Sequence, residues 1–379
     1  LIVKGKDDTS EATNYVFASG MNPWKISISQ NGWGEIDLQG GYLRTGNNGL
    51  WIGSSEKAST ALAVTGVVNQ TGGYFYQGAS GATAATYLSG LKIGCGEYCA
   101  WNRVSSDAIS CTGVYNLMGG QLLSLVGYTV IGAGTGEGRL VQTGGTFTHN
   151  SVADSSKYYN HLTGTKNFQY PMIIGLVGGS GLYALSNGTA KVTKDLYVGG
   201  ALTNDMPWAT TIGVDPAKYP EERYDARGVL SIQGGTFTCS SNVFVGVAGS
   251  GTIELGGTGS LTVKDNALVL SNATESVLKF RLPEDGFASV PLKVTGAGRL
   301  VLTSGSKLVV DVREYNGVRD GRGQKIKIAE LAAVEGAFGG FEVVCDESDR
   351  SYYEKATYVL KDGALWFRLP RKGTILIVQ

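Results

Sequence analysis

Proline is scarce in this chain, with 8 among 379 residues, and histidine is scarcer still, with 2. Few prolines, with 57 glycines that keep no three-residue period, exclude a collagen-like rod. No apolar run reaches the roughly 18–20 residues of a membrane-crossing helix, so no transmembrane segment is expected. Charge of one sign is missing too. The 32 basic and 32 acidic residues cancel, no basic stripe appears, and nucleic acid is not an expected partner. Hydrophobic residues still make up 42% of the chain, a globular rather than a disordered composition.

Cysteine is limited to Cys95, Cys99, Cys111, Cys239 and Cys345. Three of them share the stretch CGEYCAWNRVSSDAISC, so Cys99 is a disulfide candidate with Cys95 or Cys111, free thiols being the competing reading. Cys239 is expected to stay reduced, inside or beside a coil. A zinc site needs four ligands, and His149 and His161 supply no finger-like spacing, so no metal site is assigned. No Ser-His-Asp order is persuasive, and no glycine loop leads into a Lys-Ser/Thr helix start. Catalytic and cofactor-binding residues are therefore not assigned. The best enzymatic candidates are Glu221, Glu222 and Asp225 beside Arg223 and Arg227, a cluster more simply read as a solvated loop. Asn69, Asn187 and Asn272 fit N-x-Ser/Thr and are read as chance matches.

What is abundant is repetition. An apolar-x-apolar unit followed by Gly-Gly and a further strand recurs as IDLQGGYLR from Ile36, VNQTGGYFY from Val68, YNLMGGQLL from Tyr115, LVQTGGTFT from Leu140 and LSIQGGTFT from Leu230. The turn glycines are Gly40 and Gly41, Gly72 and Gly73, Gly119 and Gly120, Gly144 and Gly145, Gly234 and Gly235. A second apolar run follows, usually closed by glycine: LWIG at Leu50, LKIG at Leu91, MIIG at Met172, VFVG at Val243. Successive pairs lie 25 residues apart from Gly119 to Gly144 but 47 from Gly72 to Gly119. A constant unit with variable insertions predicts a stacked coil with loops on one side.

Inward positions such as Leu140, Gln142, Leu230 and Ile232 would line its core. The insertions fall near 77–90, near 150–170 with the histidines, and over 200–228. The expected fold is an all-β parallel β-helix, or β-solenoid; a β-sandwich or propeller-like repeat is the alternative. The domain reading is residues 1–35 as an N-terminal strand and cap, 36–270 as solenoid repeats, and 271–379 as a β-rich C-terminal capping or assembly segment. Within the last, ATYVLKDGALWFRL carries a DG hairpin turn.

The rhythm GGTFTCSSNVFVGVAGSGTIELGG from Gly234 resembles the autotransporter-associated β-strand repeat, and the tail from SGSKLVVDV to YVLKDGALWFRL resembles the segment closing such arrays. The resemblance covers roughly residues 36–370. It implies a β-helical, exported, surface or extracellular protein and no catalytic residues. No membrane β-barrel of the family's size follows, which suggests a processed passenger or a free secreted subunit, and the start at Leu1 rather than Met suits export.

The functional expectation is a secreted structural subunit of a bacterial filament, tube or surface layer, a homopolymer whose partners are copies of itself. The alternatives are a monomeric adhesin with a carbohydrate or cell-surface ligand and, third, a polysaccharide-degrading enzyme. The assembly candidates are two β-prone apolar runs, Leu1, Ile2 and Val3, and Ile375, Leu376, Ile377 and Val378.

Overall fold

Valine, isoleucine, threonine and aromatic residues alternate with polar ones in short runs between glycines, and such runs favour extended backbone with one buried face. A single turn of chain built this way has nothing to bury that face against, so the turns stack. The computed structural model describes residues 2–3, 16–17, 26–28, 32–45, 49–54, 63–77, 90–96, 110–125, 127–134, 136–151, 170–176, 178–200, 226–271, 275–316 and 324–370. Each coil places one strand in each of three sheets, and each strand pairs in parallel with its equivalents in the coils before and after. Among the described residues sheet 1 has eleven strands, sheet 2 twelve and sheet 3 ten. The protein is an all-β parallel β-helix, not a sandwich or propeller.

One coil shows the plan. Gly136–Gln142 lies in sheet 1, Thr146–His149 in sheet 2 and Met172–Leu176 in sheet 3. Leu140, Phe147, Met172 and Ile174 point inward and are fully buried. In register above and below them stand Tyr115 and Tyr183, then Leu122 and Ala190. Strand spacing of about 4.8 Å brings these side chains into contact along the stack, and Phe147, Tyr183 and Phe237 meet edge to face at 5.6 Å. Leu230 and Ile232 take the same inward places two coils on.

The corner from sheet 1 to sheet 2 needs both glycines of the pair. The second, Gly120 in one coil, has φ 72°, and its equivalents Gly41, Gly73, Gly145 and Gly235 lie between 64° and 73°, where a Cβ is strongly disfavoured. The first packs against backbone: a Cβ on Gly119 would sit 2.2 Å from the Thr71 carbonyl oxygen of the preceding coil.

A second glycine ladder, absent from the sequence reading, runs up sheet 1 through Gly34, Gly66, Gly113, Gly138, Gly181, Gly228 and Gly251. A Cβ on Gly138 would stand 2.2 Å from both Ile93 O and Gly132 N. The glycine that closes each sheet 3 strand thus presses backbone to backbone on this ladder. Ser276 and Ser306 continue it, and the Ser276 hydroxyl donates to Val245 O at 2.8 Å.

Residues 78–89, 97–109, 152–169 and 201–225, outside the described set, all join the chain at an end of a sheet 3 strand. The outward side of that sheet is itself apolar and buried, through Val130, Ile173, Leu176 and Tyr197. Trp51 lies there too, with the Lys92 ammonium 4.0 Å from its ring centre.

The ladders pass the boundaries expected at residues 36 and 271. Ile2–Val3 already pairs with Asp37 and Leu38. Beyond 271, Glu275–Arg281, Leu292–Thr295 and Arg299–Leu302 make another coil, and Ser306–Asp311, Lys325–Leu331 and Val334–Glu335 one more. Gly340–Val344 then adds a strand to sheet 1. These coils read differently because charges replace small residues on the outside, as where Lys279 meets Glu254 at 3.1 Å. The antiparallel element is the DG hairpin, Thr357–Lys361 and Ala364–Arg368, with Asp362 and Gly363 at φ 53° and 67°, as a type I′ turn requires. It extends sheet 2 by pairing Ala364–Arg368 with Lys325–Leu331, leaving Thr357–Lys361 as the last strand. No helix among the described residues is long and apolar enough to cross a membrane.

Candidate functional site: the open edge of sheet 1

At the C-terminal end of the stack the three sheets finish differently. The hairpin extends sheet 2 to a last strand, Thr357–Lys361, that pairs on one side among the described residues, and sheet 3 tapers to the two exposed residues Val334 and Glu335. Sheet 1 finishes in a full strand, Gly340–Val344, paired to Ser306–Asp311 on one side and to no strand among the described residues on the other. Phe341 and Val343 stand in the inward register of Leu308 and Val310, yet they are only half-buried where those leucine and valine side chains are fully buried. The core stripe therefore thins out along this strand, where Phe341 still meets Tyr358 and Phe367 of the hairpin at 5.3 and 6.5 Å.

A cleft of about 350 Å³ follows the same strand. Phe341, Val343, Val344 and Cys345 line it, with Tyr353 and Ala356, both buried, as the wall contributed from outside the strand. Glu342, Arg350 and Glu354 complete its lining. The wall is set by a tight turn, Glu347–Asp349, running into the one-turn helix Arg350–Tyr353, with Arg350 tied back to Glu347 at 3.0 Å. Tyr352 packs edge to face on Tyr353 at 5.0 Å and donates its hydroxyl to the Pro370 carbonyl at 3.1 Å. The chain thus leaves the hairpin pinned beside the cleft. Partial burial raises the Cys345 thiol above its ordinary pKa, against the opposing pull of Arg350, so this thiol is not activated as a nucleophile.

A second surface lies on sheet 2. Tyr42 and Tyr74 stack at 4.8 Å with planes 9° apart, and Tyr76 lies 6.1 Å from Tyr74 and 6.0 Å from Tyr42. Partial burial and the two neighbouring phenols raise the Tyr76 pKa, while Arg44 works the other way.

The expected site residues fall as follows. Ile2 and Val3 form the first strand of sheet 1, whereas Leu1 and Ile375–Val378 lie outside the described residues, as do Cys99, His161, Asn272, Glu221, Glu222, Arg223 and Asp225. The proposed pairing of Cys99 accordingly lies outside them too. Cys95 and Cys111 are buried, in sheet 3 and sheet 1. Cys239 is a buried thiol of the core, its pKa pushed up to about 12 by desolvation. Arg227 is an exposed residue of sheet 1, outward of Gly228. Asn69 belongs to a surface ladder: its amide donates to Glu35 at 2.7 Å and Asp37 at 2.9 Å and its oxygen accepts from Asn116 at 2.8 Å. Among the described residues no three His, Cys, Asp or Glu side chains converge.

His149 differs from its expected place in an insertion. It ends the strand Thr146–His149, fully buried. Its Nε2 faces the Tyr170 carbonyl at 2.9 Å and must donate to it, so Nδ1 accepts from the Thr129 hydroxyl at 3.0 Å. Burial, helped by Lys194 and opposed by the Tyr170 carbonyl, lowers its pKa to about 4, and the ring is neutral at pH 7.

The sequence reading placed Gln142 inward but missed the two polar clasps built on such glutamines, although the recurrence of Gln-Thr-Gly-Gly was their signal. Gln70 and Gln142 occupy inward positions that other coils give to leucine. The Gln142 amide donates to Gly145 O at 3.0 Å and Thr189 O at 3.1 Å, and its oxygen accepts from the Tyr183 hydroxyl of the next coil at 2.6 Å. Gln70 and Tyr115 repeat the arrangement, also at 2.6 Å.

Comparison of the chain with protein-family models, curated proteins and solved structures found no match.

Proposed function

We propose that this protein is a secreted structural subunit that self-assembles into an extracellular filament, tube or layer by continuing its β-ladders from one copy to the next. The observation that carries this reading is the strand Gly340–Val344, whose outer backbone edge pairs with no strand among the described residues and has Phe341 and Val343 half-buried beside it. Edges of this kind template the addition of another strand, and natural proteins that stay monomeric blunt them. The resemblance to the autotransporter-associated repeat supports export and a surface location.

Negative-stain microscopy of the purified protein tests the reading. Fibres or sheets are expected from the wild type at high concentration and discrete, folded particles from Phe341→Lys. Fibres that persist unchanged in Phe341→Lys, or a wild type that never assembles, would overturn it. A second reading, a monomeric adhesin, draws on the tyrosine cluster of Tyr42, Tyr74 and Tyr76, since aromatic and hydroxyl groups together suit carbohydrate. Discrete wild-type particles that bind glycans, with binding lost in Tyr74→Ala, would favour it instead.

A further inference from the structure

The edge of sheet 1 and the cleft along it fit a particular occupant. A strand added to Gly340–Val344 must be extended, must put apolar side chains against Phe341, Val343 and Tyr353, and must suit a lining that carries two carboxylates, Glu342 and Glu354, and one cation, Arg350. Residues 371–379, RKGTILIVQ, answer each demand. Thr374–Val378 is β-branched or apolar at every position, so that an extended strand of this sequence would carry Ile375 and Ile377 on one face and Leu376 and Val378 on the other. Arg371 and Lys372, which precede it, match the carboxylates.

The approach is short as well. Pro370 is held by Tyr352, the neighbour of the cleft residue Tyr353, and the four residues on to Thr374 reach about 13 Å when extended. A segment tethered this closely meets the edge at an effective concentration in the millimolar range, far above that of a second copy in dilute solution.

We propose that Thr374–Val378 adds as a strand to the open edge of Gly340–Val344 within its own molecule, and that copies join by exchanging this strand. The inference rests on the assembly reading above for its second half only. In dilute solution the protein is closed on itself, and assembly begins when the segment leaves its own edge and takes that of a neighbour, the same contact being made between molecules instead of within one.

Amide hydrogen exchange over Gly340–Val344 tests this on the full chain, at micromolar protein where sedimentation shows a single species. Protection is expected in the wild type and is expected to be independent of dilution. In the double variant Ile375→Lys/Ile377→Lys the outward amides of this strand should exchange about tenfold faster or more, while amides of Ala226–Ile232 deep in the stack keep their rates and so report an intact fold. Unchanged edge protection in the variant would overturn the proposal. Protection that rises with concentration would show that the occupant is a second copy and would also overturn it, leaving the assembly reading intact. Conversely, dilution-independent protection in a wild type that never forms fibres would uphold the seated strand and remove the assembly reading.

Discussion

At the scale of single residues, the informative ones are polar groups in places the repeat gives to leucine. Gln142 is fully buried, and its two amide donors and its acceptor all have partners. The pair is worth having only as a pair, because either member alone leaves the other unsatisfied in a dry core, at about 1–3 kcal/mol. Tyr183→Phe and Gln142→Leu should each destabilise by about that much. The double variant should cost at least ~1 kcal/mol less than their sum, since Leu117 and Leu185 already fill the equivalent places in neighbouring coils. Denaturant titration of the four proteins gives the coupling directly, and strict additivity would show that the clasp is not a unit.

His149 makes a second residue-scale prediction. Its pKa falls from an ordinary 6.5 to about 4 on folding. Between these values the unfolded chain binds a proton that the folded chain refuses, so stability is complete above about pH 6.5 and declines as pH drops towards 4. The loss amounts to roughly 3 kcal/mol once both forms are protonated. Denaturation measured at pH 7.5 and 4.5 should show this loss in the wild type and a smaller one in His149→Gln. Equal pH dependence in the two proteins would place the sensitivity elsewhere.

At the scale of elements, strands and corners were readable because each rests on a local rule. The Gly-Gly pairs marked corners, the alternation at Leu140 and Gln142 marked the inward face, and Asp362-Gly363 marked the hairpin. What was not readable depends on contacts between coils about 25 or 47 residues apart. The third residue of the sheet 1 strand, as at Gly138, looks like an ordinary small inward residue until Gly132 and Ile93 are seen pressed against it. Gly138→Ala has no room on either side and should destabilise by roughly 2–4 kcal/mol, against ~1 kcal/mol or less for an outward neighbour such as Arg139→Ala, whose ion pair with Glu137 is exposed. Thermal melts of the two variants check this. Similar melting points would mean that the corner opens easily.

At the scale of the whole molecule, the boundary near residue 271 was expected where composition changes, but the ladders continue because backbone pairing does not depend on what the outward side chains are. The candidate site was partly legible: the sequence drew attention to Ile375–Val378 as an apolar run, but not to the strand Gly340–Val344, which among the described residues has a partner on one side only. Nothing local distinguishes GFEVV as a last strand. Its place as the last strand of sheet 1 among the described residues follows from the hairpin joining sheet 2 instead.

The unbroken register has a further meaning for how such a molecule changes length. Ala226 pairs with Gly249, so residues 226–248 form one complete period with matching faces above and below. A tandem copy of that stretch would find on each side the neighbour it already has. The stack would grow by about 4.8 Å with its two ends untouched, so gene duplication can adjust the reach of this protein in fixed steps without redesigning either end.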